Sequence, residues 1–319
     1  MSTNTEPGTQ AAAEAAAARL LWSHWQAGSK LAELPPALRP RTRLEGYAVQ
    51  AGLPAAGGRK VLGWKIAATS AAGQAHIGVT GPLAGRLLSG QVHGDGATLS
   101  LAGNGMCVVE PEFAFRFGTA LAPRGVPYER HEVLAAVATL HPALEVPDSR
   151  FADFVHAGEA QLIADDACAH RLVLGKAAPN LWRALDLRQH TVQAQVHGAF
   201  GCRLAREGIG SNVLGDPRVA LLWLVNELSG LGIGVEPGQF VSTGTCAAPL
   251  TVQAGDAVTA GYGVLGRVSL SFTKTATKRG AATLPGDFRS HGSMPATPNA
   301  WPVADTNCAA GVASTCRHQ

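Results

Sequence analysis

Val109-Glu110-Pro111-Glu112-Phe113-Ala114-Phe115-Arg116-Phe117 is the stretch that decides how this 319-residue chain folds. Apolar side chains fall at 109, 111, 113, 115 and 117, with Glu110, Glu112 and Arg116 between them. That period of two predicts a β-strand with one face packed and the other open to chemistry. Glu110 and Glu112 then point to the same side, and their carboxylates repel unless something positive lies between them. A hard divalent cation with oxygen ligands is the natural neutraliser. Pro111 biases Glu110 toward an extended backbone but withdraws a ladder donor, so an edge or interrupted strand is expected. Taken alone, a Glu-x-Glu on a strand is more often a solvated face than a metal site.

Working outward, Val61-Leu62-Gly63-Trp64-Lys65-Ile66 reads as a strand leaving the Gly57-Gly58 loop. Lys65 sits inside its apolar run. Such a lysine either snorkels to the surface or is partly desolvated, with a lowered pKa that suits it to moving protons. Downstream, Ala143-Leu144-Glu145-Val146 reads as a short strand stopped by Pro147, and a lone carboxylate there is more often exposed than a ligand. Helices are expected over 11–26, 42–51, 71–77 and 132–140, with 78–90 a Gly/Pro/Leu loop over a pocket. Asp216-Pro217 supplies the cap and first residue of a helix over 218–228. Short strands follow at 191–196, 202–204, 240–245, 250–252, 257–260 and 266–272. After about residue 275 periodicity is lost among Pro, Gly, Ser and Thr, and a disordered tail is expected. The fold class is α+β, a β-rich body in the form of a distorted barrel or a sandwich, with N-terminal helices. It divides into a helical segment 1–60, a β-rich catalytic domain 61–273 and the tail 274–319.

The composition is 46% hydrophobic and 15% charged, enough for a large core, and the net charge is only +3. Lys and Arg are scattered, which argues against nucleic acid and against a polybasic membrane segment. The Ala-rich N-terminal run is interrupted by Glu14 and Arg19, so neither a signal peptide nor a membrane span is expected. Six widely spaced cysteines without a CxxC pair read as reduced thiols in a cytoplasmic protein.

Several ordered motifs together carry a resemblance. They are Gly63-Trp64-Lys65-Ile66-Ala67-Ala68-Thr69-Ser70, Ile77-Gly78-Val79, and Val109 to Phe115. Ala143-Leu144-Glu145-Val146-Pro147-Asp148-Ser149-Arg150, Ile163-Ala164-Asp165-Asp166-Ala167, and Pro237-Gly238 through Ser242-Thr243-Gly244-Thr245 follow. Over roughly residues 15–273 the chain resembles the 2-keto-4-pentenoate hydratase and 4-oxalocrotonate decarboxylase group of the fumarylacetoacetate hydrolase superfamily. The resemblance implies a superfamily C-terminal-domain-like fold with a mixed β-barrel-like core, and a homo-oligomer, which in these pathways can associate with a hydratase or decarboxylase partner. It implies a Mg2+ site (Mn2+ the alternative) at Glu110, Glu112 and Glu145, with Lys65 handling protons beside it. Ser70, Asp165, Cys168, Thr243, Gly244 and Thr245 are the implied substrate contacts.

The substrate so implied is a small 2-oxo acid or its 2-hydroxydienoate tautomer, as in aromatic hydrocarbon catabolism. Its carboxylate and 2-oxygen chelate the ion, which stabilises an enolate during hydration. Two positions depart from the group's pattern. Leu83 stands after Pro82 where an acidic residue often activates water, which favours a decarboxylase of a 2-oxo-hexenedioate. Cys168 stands where relatives carry a serine, so a thiol replaces a hydroxyl. Hydrolysis of an acylpyruvate C–C bond would call for a histidine–acid pair that the spacing does not offer. The non-enzymatic alternative is a catalytically inactive partner subunit.

Overall fold

The computed structural model describes residues 7–274, so the expected tail over 275–319 lies outside them. Helix α1 (Pro7–Ala27) precedes α2 (Arg43–Ala51) and the short α3 (Leu53–Gly57). The Thr42 hydroxyl starts α2 by accepting the Glu45 N–H at 3.2 Å, satisfying a donor that has no partner within the helix. Strand β1 (Val61–Ala67) leads through α4 (Ala71–His76) to β2 (Leu83–Leu88), β3 (Val92–Gly94) and β4 (Ala97–Leu99). Next come β5 (Val108–Phe117), α5 (Arg130–Ala136), β6 (Val137–Val146), α6 (Glu159–Ala164) and β7 (Arg171–Leu174). A long hairpin of β8 (Thr191–Gly198) and β9 (Gly201–Ile209) is followed by α7 (Pro217–Gly230), capped by Asp216. The last strands are β10 (Phe240–Thr245), β11 (Leu250–Thr251), β12 (Ala257–Gly261) and β13 (Arg267–Phe272).

Two mixed sheets result. One runs β2-β1-β10-β5-β6-β7-β3, with β11 also against β5, and the other runs β4-β13-β12-β8-β9. One apolar core joins Leu21 of α1 and Tyr47 of α2 to Phe113, Phe115 and Phe117 of β5 and to Leu221 and Leu224 of α7. The N-terminal helices therefore share the core of the sheets. Burying each of those phenylalanines contributes about 2–3 kcal/mol, which fixes the odd-numbered face of β5 toward the helices. Ala114, Ala143, Leu172 and Leu174 form a smaller cluster. By register it lies on the opposite face, the one that bears the glutamates.

Three expectations are corrected. β5 is not an edge strand: β6 pairs along one side, while β10 and β11 divide the other between them. Pro111 lies where β10 gives way to β11, so its missing N–H removes no ladder bond there, and its carbonyl accepts the Cys246 N–H at 2.9 Å. The interruption expected from proline is present, but both faces of the strand are buried and only Arg116 is exposed. The helix expected over 132–140 ends at Ala136, because β-branched Val137 and Thr139 enter β6 and pair with β5. The loop expected over 78–90 contains β2, buried along its whole length and paired with β1.

Candidate active site

Glu110 and Glu145 are register partners on β5 and β6, and Glu112 follows two residues along β5 on the same face. Each offers an oxygen lying within 4.8 Å of those of the other two, and all three residues are buried. Lys65 arrives from β1, whose neighbour β10 pairs Ser242 with Lys65 on one side and with Ala114 on the other. The Lys65 ammonium lies 3.2 Å from Glu145 Oε1 and donates to the Ala167 carbonyl at 3.0 Å. Four ionisable groups from three strands thus converge although the chain separates them widely.

The Glu112 carboxylate is half engaged. Its Oε2 accepts the Ser242 hydroxyl and, at 3.0 Å, the Gly244 N–H. Its Oε1, and both oxygens of Glu145, are buried without a hydrogen-bond partner. Buried carboxylate oxygens without a hydrogen bond are costly, and one oxygen from each of the three glutamates within reach of the others fits a divalent cation with oxygen ligands. Gly244 has φ +91°, and a Cβ there would meet Thr69 Oγ1 at 2.2 Å, so only glycine brings this N–H to Glu112. From the other side of the sheet, the Tyr262 hydroxyl donates to the Glu112 and Ala143 carbonyls at 2.8 and 3.0 Å, tying β5 to β6.

The electrostatics follow from burial and crowding. Burial, with Glu145 next, pushes the Glu110 carboxyl up to about 7 against the pull of Lys65. Burial, Glu145 and Glu110 hold Glu112 well above the usual carboxylate range. Burial alone would lower the Lys65 pKa, but Glu145, Glu112 and Glu110 outweigh it and raise the ammonium above its ordinary value. With no ion among them, the carboxylates decide the sign. A cation among them would act in the opposite direction.

A pocket opens beside this cluster, with Lys65, Glu110, Ser70, Cys168, Gly244 and Thr245 in its wall. Ser70 caps α4 by accepting the Gly73 N–H at 3.1 Å. The Thr245 hydroxyl donates to the Ala247 carbonyl. The Cys168 thiol is pushed up to about 12 by burial and by Asp165, so it stays protonated near neutral pH. The other two expected contacts face elsewhere. Asp165 is fully buried and bonded to Ser149 and Arg150, and the Thr243 hydroxyl donates to the Phe113 carbonyl at 2.9 Å. The far wall is apolar, with Ile77, Met106, Pro147 and Phe154. Ser242, Tyr262, Met106 and Phe154 carry no individual sequence signal. Ser242 is legible only as a member of the Ser242–Thr245 motif, where its hydroxyl is expected on the substrate carboxylate and instead meets Glu112.

No protein-family model matches the chain. A 2-hydroxyhexa-2,4-dienoate hydratase from Comamonas testosteroni is 33% identical over 221 residues, 69% of this chain and 81% of its own length. A 4-oxalocrotonate decarboxylase from Pseudomonas putida is 32% identical over 215 residues, 67% of this chain and 78% of its own. The chain belongs to the 2-keto-4-pentenoate hydratase and 4-oxalocrotonate decarboxylase family. For this family a solved structure adds the fold. It is the 4-oxalocrotonate decarboxylase from Pseudomonas putida G7 complexed with magnesium and adipate, which matches with a TM-score of 0.72 at 27% identity. That match covers 81% of this chain and 97% of the other. A fumarylacetoacetate hydrolase from Exiguobacterium antarcticum, 15% identical with a TM-score of 0.50, shares the fold alone. Hydratase and decarboxylase relatives are about equally similar, so identity does not choose between the two reactions.

Proposed function

We propose that this family member is a Mg2+-dependent lyase for a small 2-oxo acid, hydrating 2-hydroxypenta-2,4-dienoate to 4-hydroxy-2-oxopentanoate. The observation that carries the reading is the convergence of three buried carboxylates, with orphaned oxygens, on one point beside Lys65. Glu110, Glu112 and Glu145 would hold the ion. Once bound it supplies Lewis-acid stabilisation of negative charge on the substrate's 2-oxygen, with Mn2+ as an alternative. Lys65 moves the protons. One goes to C5 as the 2-hydroxyl proton leaves, giving 2-oxopent-3-enoate; water then adds its oxygen at C4 and a proton at C3. Ser70, Gly244 and Thr245 line the acid end of the pocket, and Cys168 stands beside them as a neutral wall. Asp165 and Thr243 support neighbouring backbone.

The apolar far wall suits an uncharged substrate tail, since Lys65 is the one cation in the pocket wall among the described residues. A second reading, decarboxylation of a 2-oxo-hexenedioate, is favoured by Leu83. This residue, fully buried in the core, stands where the resemblance expects an acid. The active form is proposed to be a homo-oligomer, for which the fully exposed Phe200 at the tip of the β8–β9 hairpin is a contact to examine. No helix among the described residues is long and apolar enough to cross a membrane, in keeping with action on a dissolved acid.

Purified protein with Mg2+ is expected to consume 2-hydroxypenta-2,4-dienoate, followed by loss of the dienol absorbance. It should release no CO2 from 2-oxo-3-hexenedioate. CO2 release without hydration would assign the decarboxylase reaction instead, and inertness toward both would leave the inactive partner subunit.

A further inference from the structure

Behind Lys65 lies a segment of unusual backbone. Asp166, Ala167 and Cys168 are consecutive non-glycine residues at φ +58°, +50° and +60°. L-residues seldom enter this left-handed region, and a run of three persists only when its surroundings over-determine it. Buried Arg150 grips both ends of the turn, donating to the Asp165 carbonyl and, at 2.9 Å, to the Ala169 carbonyl. The Asp166 carboxylate accepts the Arg86 N–H of β2 at 2.6 Å. Gly85 lets the turn sit on β2, since a Cβ there would meet the Asp166 carbonyl oxygen at 2.3 Å.

The turn's carbonyls have separate destinations. Asp166 O accepts the Ala169 N–H, and Cys168 O accepts the Asp148 N–H, both at 2.9 Å. Ala167 O alone is turned into the site, where it accepts from Lys65 Nζ. An ordinary right-handed turn would send successive carbonyls elsewhere. We infer that the left-handed turn 166–168 is the positioning element of Lys65, with Asp166 as its positioning residue. It aims the Ala167 carbonyl so that the ammonium, ion-paired with Glu145 at 3.2 Å on one side, is anchored at the pocket wall on the other. The inference rests on Lys65 being the proton-handling group.

A double-mutant cycle tests it, using holoenzyme and 2-hydroxypenta-2,4-dienoate. Asp166→Ala removes the Arg86 contact and leaves alanine in the left-handed region. Its kcat is expected to fall at least about tenfold, while KM and Mg2+ affinity by calorimetry change less than about twofold. Asp166→Asn keeps an acceptor and tolerates the left-handed region, so it should recover most of the rate. In a Lys65→Met background, Asp166→Ala should cost nothing further. Multiplicative losses in the cycle, or parallel loss of kcat and Mg2+ affinity, would overturn the inference and leave the turn a purely structural feature. If Asp166→Ala does not accumulate folded, Asp166→Ser takes its place in the same cycle. A near-normal rate for Lys65→Met alone would instead overturn the functional reading, so the two failures are separable.

Discussion

At the scale of single residues, charge balance in a dry site governs. Glu112→Gln keeps the shape of the side chain and an oxygen for Ser242 and Gly244 but removes the negative charge a cation needs. Metal-dependent turnover should vanish while far-ultraviolet circular dichroism is unchanged, and full rate in that variant would refute the ligand assignment. Lys65→Met should bind Mg2+ with wild-type affinity and lose turnover. Asp166 supplies a pH test: burial pushes its carboxyl up to about 6, against an ordinary value of 3.8. The native state therefore keeps this proton over a range where the unfolded chain has released it, and the contribution to stability falls as pH rises from about 4 to 6. Asp166→Asn should flatten that part of the stability–pH curve in urea melts, and an unchanged slope would show that the carboxyl titrates normally. The sequence shows the three glutamates and the lysine by type. It does not show the sign of the lysine's shift, because that depends on Glu145 and Glu112 coming from strands it does not adjoin in sequence.

At the scale of elements, the alternation in 109–117 made β5 readable as a strand and placed both glutamates on one face. The same pattern misled about its environment. A half-polar strand reads as half-exposed, yet here the polar face is covered and holds the ionisable cluster. Helix-forming Leu134, Ala135 and Ala136 carried the expected helix four residues too far into β6, where pairing with β5 overrode propensity. Glycine and proline around β2 looked like a loop because a glycine in a strand carries no packing signal of its own. Tyr262→Phe tests the brace between β5 and β6. Losing the one hydroxyl proton that the two buried carbonyls share should cost about 1–3 kcal/mol, read as a lower denaturant midpoint at constant slope. Gly244→Ala should both destabilise the fold and weaken Mg2+ binding by about tenfold or more, since the new Cβ displaces the N–H that fixes Glu112. Unaltered affinity would mean that this N–H does not orient the carboxylate.

At the scale of the whole molecule, the site is a weak point of the metal-free fold. Glu110 and Glu112 both hold protons more tightly when folded than when unfolded. Stability of the metal-free protein should therefore drop as pH rises through about 7, the value reached by Glu110. Bound cation replaces those protons, and at about 100 times Kd it adds about 2.7 kcal/mol. The gap in Tm between Mg2+-loaded and chelator-treated protein should thus widen from pH 5 to pH 8 by several degrees in scanning calorimetry. A gap that narrows over that range would place the ion elsewhere.

One oxygen of Glu112 is already spoken for by a hydroxyl and an amide, which leaves this side chain one free oxygen. It therefore cannot clasp a guest with both atoms at once. Large ions that crowd seven or eight donors around themselves would find the cradle short of oxygens, whereas a six-coordinate ion of small radius needs no more than it offers. Ser242→Ala, which frees that oxygen, is expected to raise the ratio of Ca2+ to Mg2+ affinity in calorimetry, and an unchanged ratio would show that this hydrogen bond has no part in ion choice.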